Sequence, residues 1–112
     1  MEARSRSFRI SSRVIQVSGE VDMESAPRLR MRIRKNLDQR PQALGVNLAD
    51  VTYMDSAGIA VLVEALQWAK KERVALVLAE PSRVVRSVIE VTRLGKLFFI
   101  ADSIDQAIPS RA

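Results

Sequence analysis

The chain has 112 residues, the length of one domain, with a net charge of +5 and a hydrophobic fraction of 47 %. It contains no cysteine and no histidine. That excludes a disulfide framework, thiolate chemistry, a Ser-His-Asp triad and a histidine-ligated zinc site. Lysine or carboxylate bases stay open, so composition disfavours catalysis without forbidding it.

A basic balance first suggests nucleic acid. The positions of the arginines argue against it. Half of them fall near the N-terminus (Arg4, Arg6, Arg9) and on one predicted helix (Arg28, Arg30, Arg32, Arg34, with Lys35). Aromatic residues make up only 4 %, so no stacking platform accompanies the charge. The plain reading is a solvated helix face, with an acidic partner surface as the other. Direct contact with nucleic acid is not expected. The first ten residues have no apolar h-region, so they do not read as a secretory leader. The longest apolar stretch, residues 59–69, is too short to span a bilayer and carries Glu64 and Gln67. A soluble cytoplasmic protein without membrane insertion is expected.

Residues 1–6 read as a flexible tail. Residues 7–112 read as a single domain without linker or repeat. Residues 8–10 and 13–21 are rich enough in Val and Ile for a hairpin, with Ser11 and Ser12 between them. Residues 22–25 are a polar turn. Pro27 then suits the first turn of a helix, where its missing N–H costs nothing. Ala26, Leu29, Ile33 and Leu37 form one apolar stripe, and Pro41 stops the helix. Residues 44–48 are a short buried strand, and residues 50–55 a loop. Ser56 opens a second helix to about residue 71, with Ile59, Leu62, Val63 and Leu66 predicted to face the sheet. Residues 74–79 are a continuous apolar run, the mark of a central strand. Pro81 and Ser82 cap a third helix, with Val84, Val85, Val88, Ile89 and Thr92 inward and Gly95 at its end. Residues 97–100 are a last strand and residues 103–108 a short final helix. Alternating strands and helices imply an α/β fold: a mixed, mainly parallel sheet of four or five strands, helices mostly on one face.

The stretch Val51-Thr52-Tyr53-Met54-Asp55-Ser56-Ala57-Gly58-Ile59 joins a strand to a helix through Asp-Ser-small-Gly. It resembles the motif of the STAS domain family, the anti-sigma factor antagonists. Gly19-Glu20-Val21-Asp22 is similar to that family's Gly-Glu-hydrophobic-Asp, and residues 91–98 to its stretch before the last strand. Ala57 stands where many members have a second serine. Arg93-Leu94 precede Gly95, where members often have Gly followed directly by Leu.

The resemblance implies a regulatory binding module and no enzyme. Its unphosphorylated form would bind an anti-sigma factor and release a sigma factor. A serine-kinase-type anti-sigma factor would use ATP to phosphorylate Ser56, and a phosphatase would reset it. No cofactor is implied. The expected partner surface comprises Asp22, Met23, Glu24, Met54, Asp55, Ala57, Gly58, Ala60 and Val61. The resemblance also allows an accessory subunit stabilising the ATPase of an ABC lipid transporter. Read from the residues alone, Ser56 is a helix N-cap, Gly58 a small packing residue and Asp22 a turn residue. Asp22 and Asp55 also form a possible carboxylate pair, but with no histidine, metal cluster or phosphate loop the checklist for a catalytic site stays unfilled.

Overall fold

Valine and isoleucine suit a pleated, half-buried surface, and Val14, Ile15, Val17 and Val21 sit on the strand that starts the parallel sheet. The computed structural model describes residues 1–8 and 12–103. Its elements are β1 (Glu2–Phe8), β2 (Ser12–Val21), α1 (Ala26–Leu37), β3 (Ala43–Met54), α2 (Ser56–Glu72), β4 (Ala75–Ala79), α3 (Arg83–Thr92) and β5 (Phe99–Ala101). The strands lie side by side in chain order. β1 pairs antiparallel with β2, and every later pair is parallel. Ile15, Val46, Leu78 and Ile100 line up across four strands. The first three belong to one buried core with Leu29, Ile33 and Leu37 of α1 and Leu62 and Ala65 of α2. α1 and α2 pack against each other, and α3 lies along β3.

The fold class is the expected one, but several local expectations change. Residues 1–6 are not a tail. They form most of an edge strand in register with β2, held also by the buried Asn36 amide, which donates to Ser5 Oγ at 3.0 Å. Residues 50–54 are not a loop. β3 continues through them because β2 extends equally far and pairs with them around two register shifts. On α2 the buried stripe is Ile59, Val61, Leu62, Ala65 and Ala69, with Val63 and Leu66 only half-buried. On α3 only Val85 and Ile89 are buried, while Val84 and Thr92 are exposed. Arg93, not Gly95, ends α3, taking the left-handed conformation with φ 60°. The expected final helix falls almost entirely outside the described residues, as do Arg9, Ile10 and Ser11.

The arginines of α1 divide into two sets. Arg28 and Arg32 are exposed, as is Lys35. Arg30 and Arg34 instead turn toward α2, their guanidinium carbons 5.0 and 4.9 Å from the centre of the Trp68 ring. Arg30 pairs with Glu64 at 2.6 Å and Arg34 with Glu72 at 2.6 Å. Glu64, Trp68 and Glu72 repeat every four residues, so all three meet α1 along one seam.

Hydrogen bonds from Arg30 and Arg34 hold the Glu64 and Glu72 carboxyls below the ordinary glutamate value of 4.5. A carboxyl depressed by folding contributes stability that is complete above its unfolded value and is lost as the pH falls through the folded one. The melting temperature is therefore expected to drop more steeply below about pH 4.5 for the native chain than for E64Q/E72Q. Parallel melting curves between pH 7 and pH 3 would contradict the seam.

Candidate functional site

β2 and β3 end together, with Val21 opposite Met54. The Asp55 N–H donates to the Val21 carbonyl at 3.2 Å. This brings the β2–α1 turn and the β3–α2 junction side by side at the carboxyl edge of the sheet, where parallel α/β sheets present their sites.

At the junction Asp55 has extended backbone angles and its carboxylate accepts from the Ala57 N–H at 2.9 Å and the Gly58 N–H at 3.4 Å. Asp55 is thus the N-cap of α2. This corrects the expectation for Ser56, which is the first helical residue. Its hydroxyl is exposed and makes no hydrogen bond among the described residues. A cap is chosen by backbone angles, and Asp and Ser are near-equal cap formers, so adjacent candidates are not separable by residue type.

Gly58 is buried for a steric reason. A Cβ there would lie 2.8 Å from Met54 Cγ and 3.0 Å from Val21 Cγ1. The first turn of α2 therefore sits directly on the ends of β2 and β3.

The neighbouring turn is built the same way. Asp22 Oδ1 accepts from the Glu24 and Ser25 N–H groups, each at 3.0 Å. The buried Ser25 hydroxyl donates to the Glu20 carbonyl at 3.0 Å and accepts from the Asp22 N–H at 2.9 Å. The Ser25 amide, helped by the Ser25 hydroxyl and the Glu24 amide, holds the Asp22 carboxyl below its ordinary value of 3.8. Both aspartates of the possible carboxylate pair are engaged by backbone amides and shape their loops.

The nine expected partner-surface residues divide accordingly. Met23, at 79 % exposed, stands out into solvent, and Glu24, Ala60 and Ser56 are exposed as well. Asp22, Asp55 and Ala57 are half-buried. Met54, Gly58 and Val61 are buried in the core. Tyr53, 46 % exposed and opposite Glu20, joins the exposed set. Assigning residues 50–55 to a loop hid it, and the one cue to it was an aromatic in a β-branched, strand-prone stretch. Among the described residues no group of three or more carboxylates is placed to hold a metal ion. No helix among them is long and apolar enough to cross a membrane.

Residues 6–107 match the STAS domain family. The chain belongs to that family. An anti-sigma-B factor antagonist of Bacillus subtilis (strain 168) is 32 % identical over 87 residues, covering 78 % of this chain and 79 % of the relative. The crystal structure of an anti-sigma factor antagonist from Mycobacterium paratuberculosis superposes with a TM-score of 0.85 at 27 % identity, covering 95 % of this chain and 89 % of that one. The anti-sigma factor antagonist SpoIIAA in its unphosphorylated form gives a TM-score of 0.79 at 22 % identity, over 96 % and 93 %. That likeness speaks to the fold alone. In this STAS domain the family motif falls on the Asp55 cap, the exposed Ser56 and the close-packed Gly58.

Two substitutions separate these roles. Asp55→Ala is expected to cost about 1 kcal/mol of stability through the lost cap, whereas Ser56→Ala stays within about 0.5 kcal/mol of the native chain. Gly58→Val should cost about 1–3 kcal/mol through overpacking against Met54 and Val21. Denaturant titration of the three variants checks the order. A destabilised Ser56→Ala beside a neutral Asp55→Ala would reverse the assignment of the cap.

Proposed function

We propose that this STAS domain is an anti-sigma factor antagonist that acts by binding and is switched by phosphorylation of Ser56. Unphosphorylated, it binds an anti-sigma factor of the serine-kinase type and so frees a sigma factor. Phosphorylation ends the binding, and a phosphatase restores it. The observation that carries this reading is the exposed Ser56 hydroxyl at the start of α2, unengaged among the described residues, at the same sheet edge as the turn that carries the exposed Met23. The names of the relatives agree with it.

The Asp55 cap bears on how the switch works. A helix start ordinarily offers its free N–H groups to an anion. Here the Ala57 and Gly58 amides already serve Asp55. A phosphate on Ser56 would therefore add about −1.5 to −2 charges at the surface, among Asp22, Glu24 and Asp55, without taking over the cap. Its effect falls on the partner contact and leaves the fold in place. The contact surface in this reading is Met23, Glu24, Tyr53, Ser56, Ala57 and Ala60, held up by Asp22 and Asp55. Catalysis has no part in it, since both carboxylates are committed to backbone amides.

Treatment with the cognate kinase is expected to place phosphate on Ser56 alone, read by mass spectrometry of the intact chain and its peptides. Modification of Ser82 or Ser103 with Ser56 untouched would sink the reading. Burying an unpaired charge at an interface costs about 2–5 kcal/mol, and about 1.4 kcal/mol is tenfold in affinity. Ser56→Asp should therefore weaken partner binding more than tenfold at an unchanged melting temperature. Ser56→Ala should bind like the native chain and resist switching. Equal affinity of Ser56→Asp and the native chain in calorimetry would point instead to a permanent subunit of a larger assembly.

A further inference from the structure

A cleft of about 540 Å³ runs between α3 and β5 and includes none of the residues around Ser56. Its apolar floor is Pro81, Ile89 and Ile100, and its rim carries Arg86, Glu90, Arg93 and Lys96. Ile89 is buried, and the four rim residues are exposed. Arg86, Glu90 and Arg93 follow the four-then-three spacing of one helix face, which is why α3 presents them together. The volume lies within the range of about 300–1,000 Å³ typical of small-molecule sites, as does the combination of an apolar interior with a few polar groups at one side.

Charge narrows the ligand. Arg86 is paired with Asp102 at 2.8 Å. Neither Arg93 nor Lys96 has a carboxylate within salt-bridge distance among the described residues. Arg93 starts from a fixed backbone, because its N–H closes α3 onto the Glu90 and Ile89 carbonyls. Glycine is the usual residue for that left-handed position. Arginine there accepts the strain and keeps a cation at the mouth of the cleft. Glu90 is the one carboxylate on the rim among the described residues, so with Arg86 paired, Arg93 and Lys96 leave the mouth net positive beside an apolar floor, which complements a molecule that is apolar along its length and anionic at one end.

We propose that the α3–β5 cleft binds an amphipathic anion, an apolar chain ending in a carboxylate or a phosphate, with the headgroup at Arg93 and Lys96. The site is separate from the Ser56 switch and stands or falls independently of it.

The test uses the full chain with dodecanoate and dodecyl phosphate below their micelle concentrations. Dodecanol, dodecyltrimethylammonium and inorganic phosphate serve as comparisons, and calorimetry is read alongside amide chemical shifts. Saturable one-to-one binding of at least one anionic chain is expected, with shifts gathered in residues 81–101. The tighter of the two names the headgroup. Dodecanol should bind at least tenfold more weakly, and inorganic phosphate alone should not saturate. R93G/K96Q should lose at least tenfold in affinity, and glycine suits the backbone at residue 93. R93K/K96R should retain binding, which separates lost charge from lost structure. No saturable binding of either anion would overturn the proposal. So would equal binding of the cationic chain, or native affinity in R93G/K96Q.

Discussion

The Asp55 carboxylate resting on the Ala57 and Gly58 amides is the contact on which the site depends. It starts α2 at a defined residue, and that fixes Ser56 as the first helical position with its hydroxyl outward. The same residue's N–H reaches back to the Val21 carbonyl, so one amino acid joins the ends of two parallel strands and opens the helix between them. Gly58 completes the arrangement by letting the helix settle onto Met54 and Val21 with no room for a Cβ. Moving the helix start by one residue would rotate Ser56 by about 100°.

The rest of the domain holds that junction still. The second loop at the carboxyl edge is closed by Asp22 and Ser25, whose hydrogen bonds run within the turn and back to Glu20 of β2. The long α2 is fastened along its length by the Trp68 seam with Arg30 and Arg34. In the proposed switch a phosphate on Ser56 would act by local electrostatics, by raising the cost of desolvating the surrounding surface against a partner. Met54, Gly58 and Val61 belong to the motif's neighbourhood as buried packing residues beneath it.

Much of this was legible in the residues, and the failures have physical causes. The α1 stripe of Ala26, Leu29, Ile33 and Leu37 is buried as its spacing predicts, and Ser82 caps α3 by accepting from the Val85 N–H. The mixed, mainly parallel sheet followed from the alternation of elements. β1 was not legible because its composition, EARSRSF, lacks an apolar face and reads as a tail. Its order comes from pairing with β2, the next element along the chain, and from Asn36, which is distant in sequence. The polar end of β3 was missed for a related reason. Beyond residue 47 β3 has no partner in β4 and pairs only with β2, so the continuous apolar run of a central strand stops there. Arg30 and Arg34 looked like the other α1 arginines, because composition does not tell a solvated cation from one stacked on Trp68. Gly95 was the obvious end for α3, yet Arg93 takes the left-handed position, a choice set by where the helix meets the sheet and not by propensity.

The central claim is that phosphorylation acts on a surface and not on the fold. Amide chemical shifts of the Ser56-phosphorylated chain against the unmodified one test it most directly. The account predicts shifts confined to residues 22–25 and 52–60, with the core rows of β2, β3 and β4 and the indole of Trp68 unmoved. Shifts spread through α1, β4 and Trp68 would contradict it, and would show that the switch works by rearranging the domain.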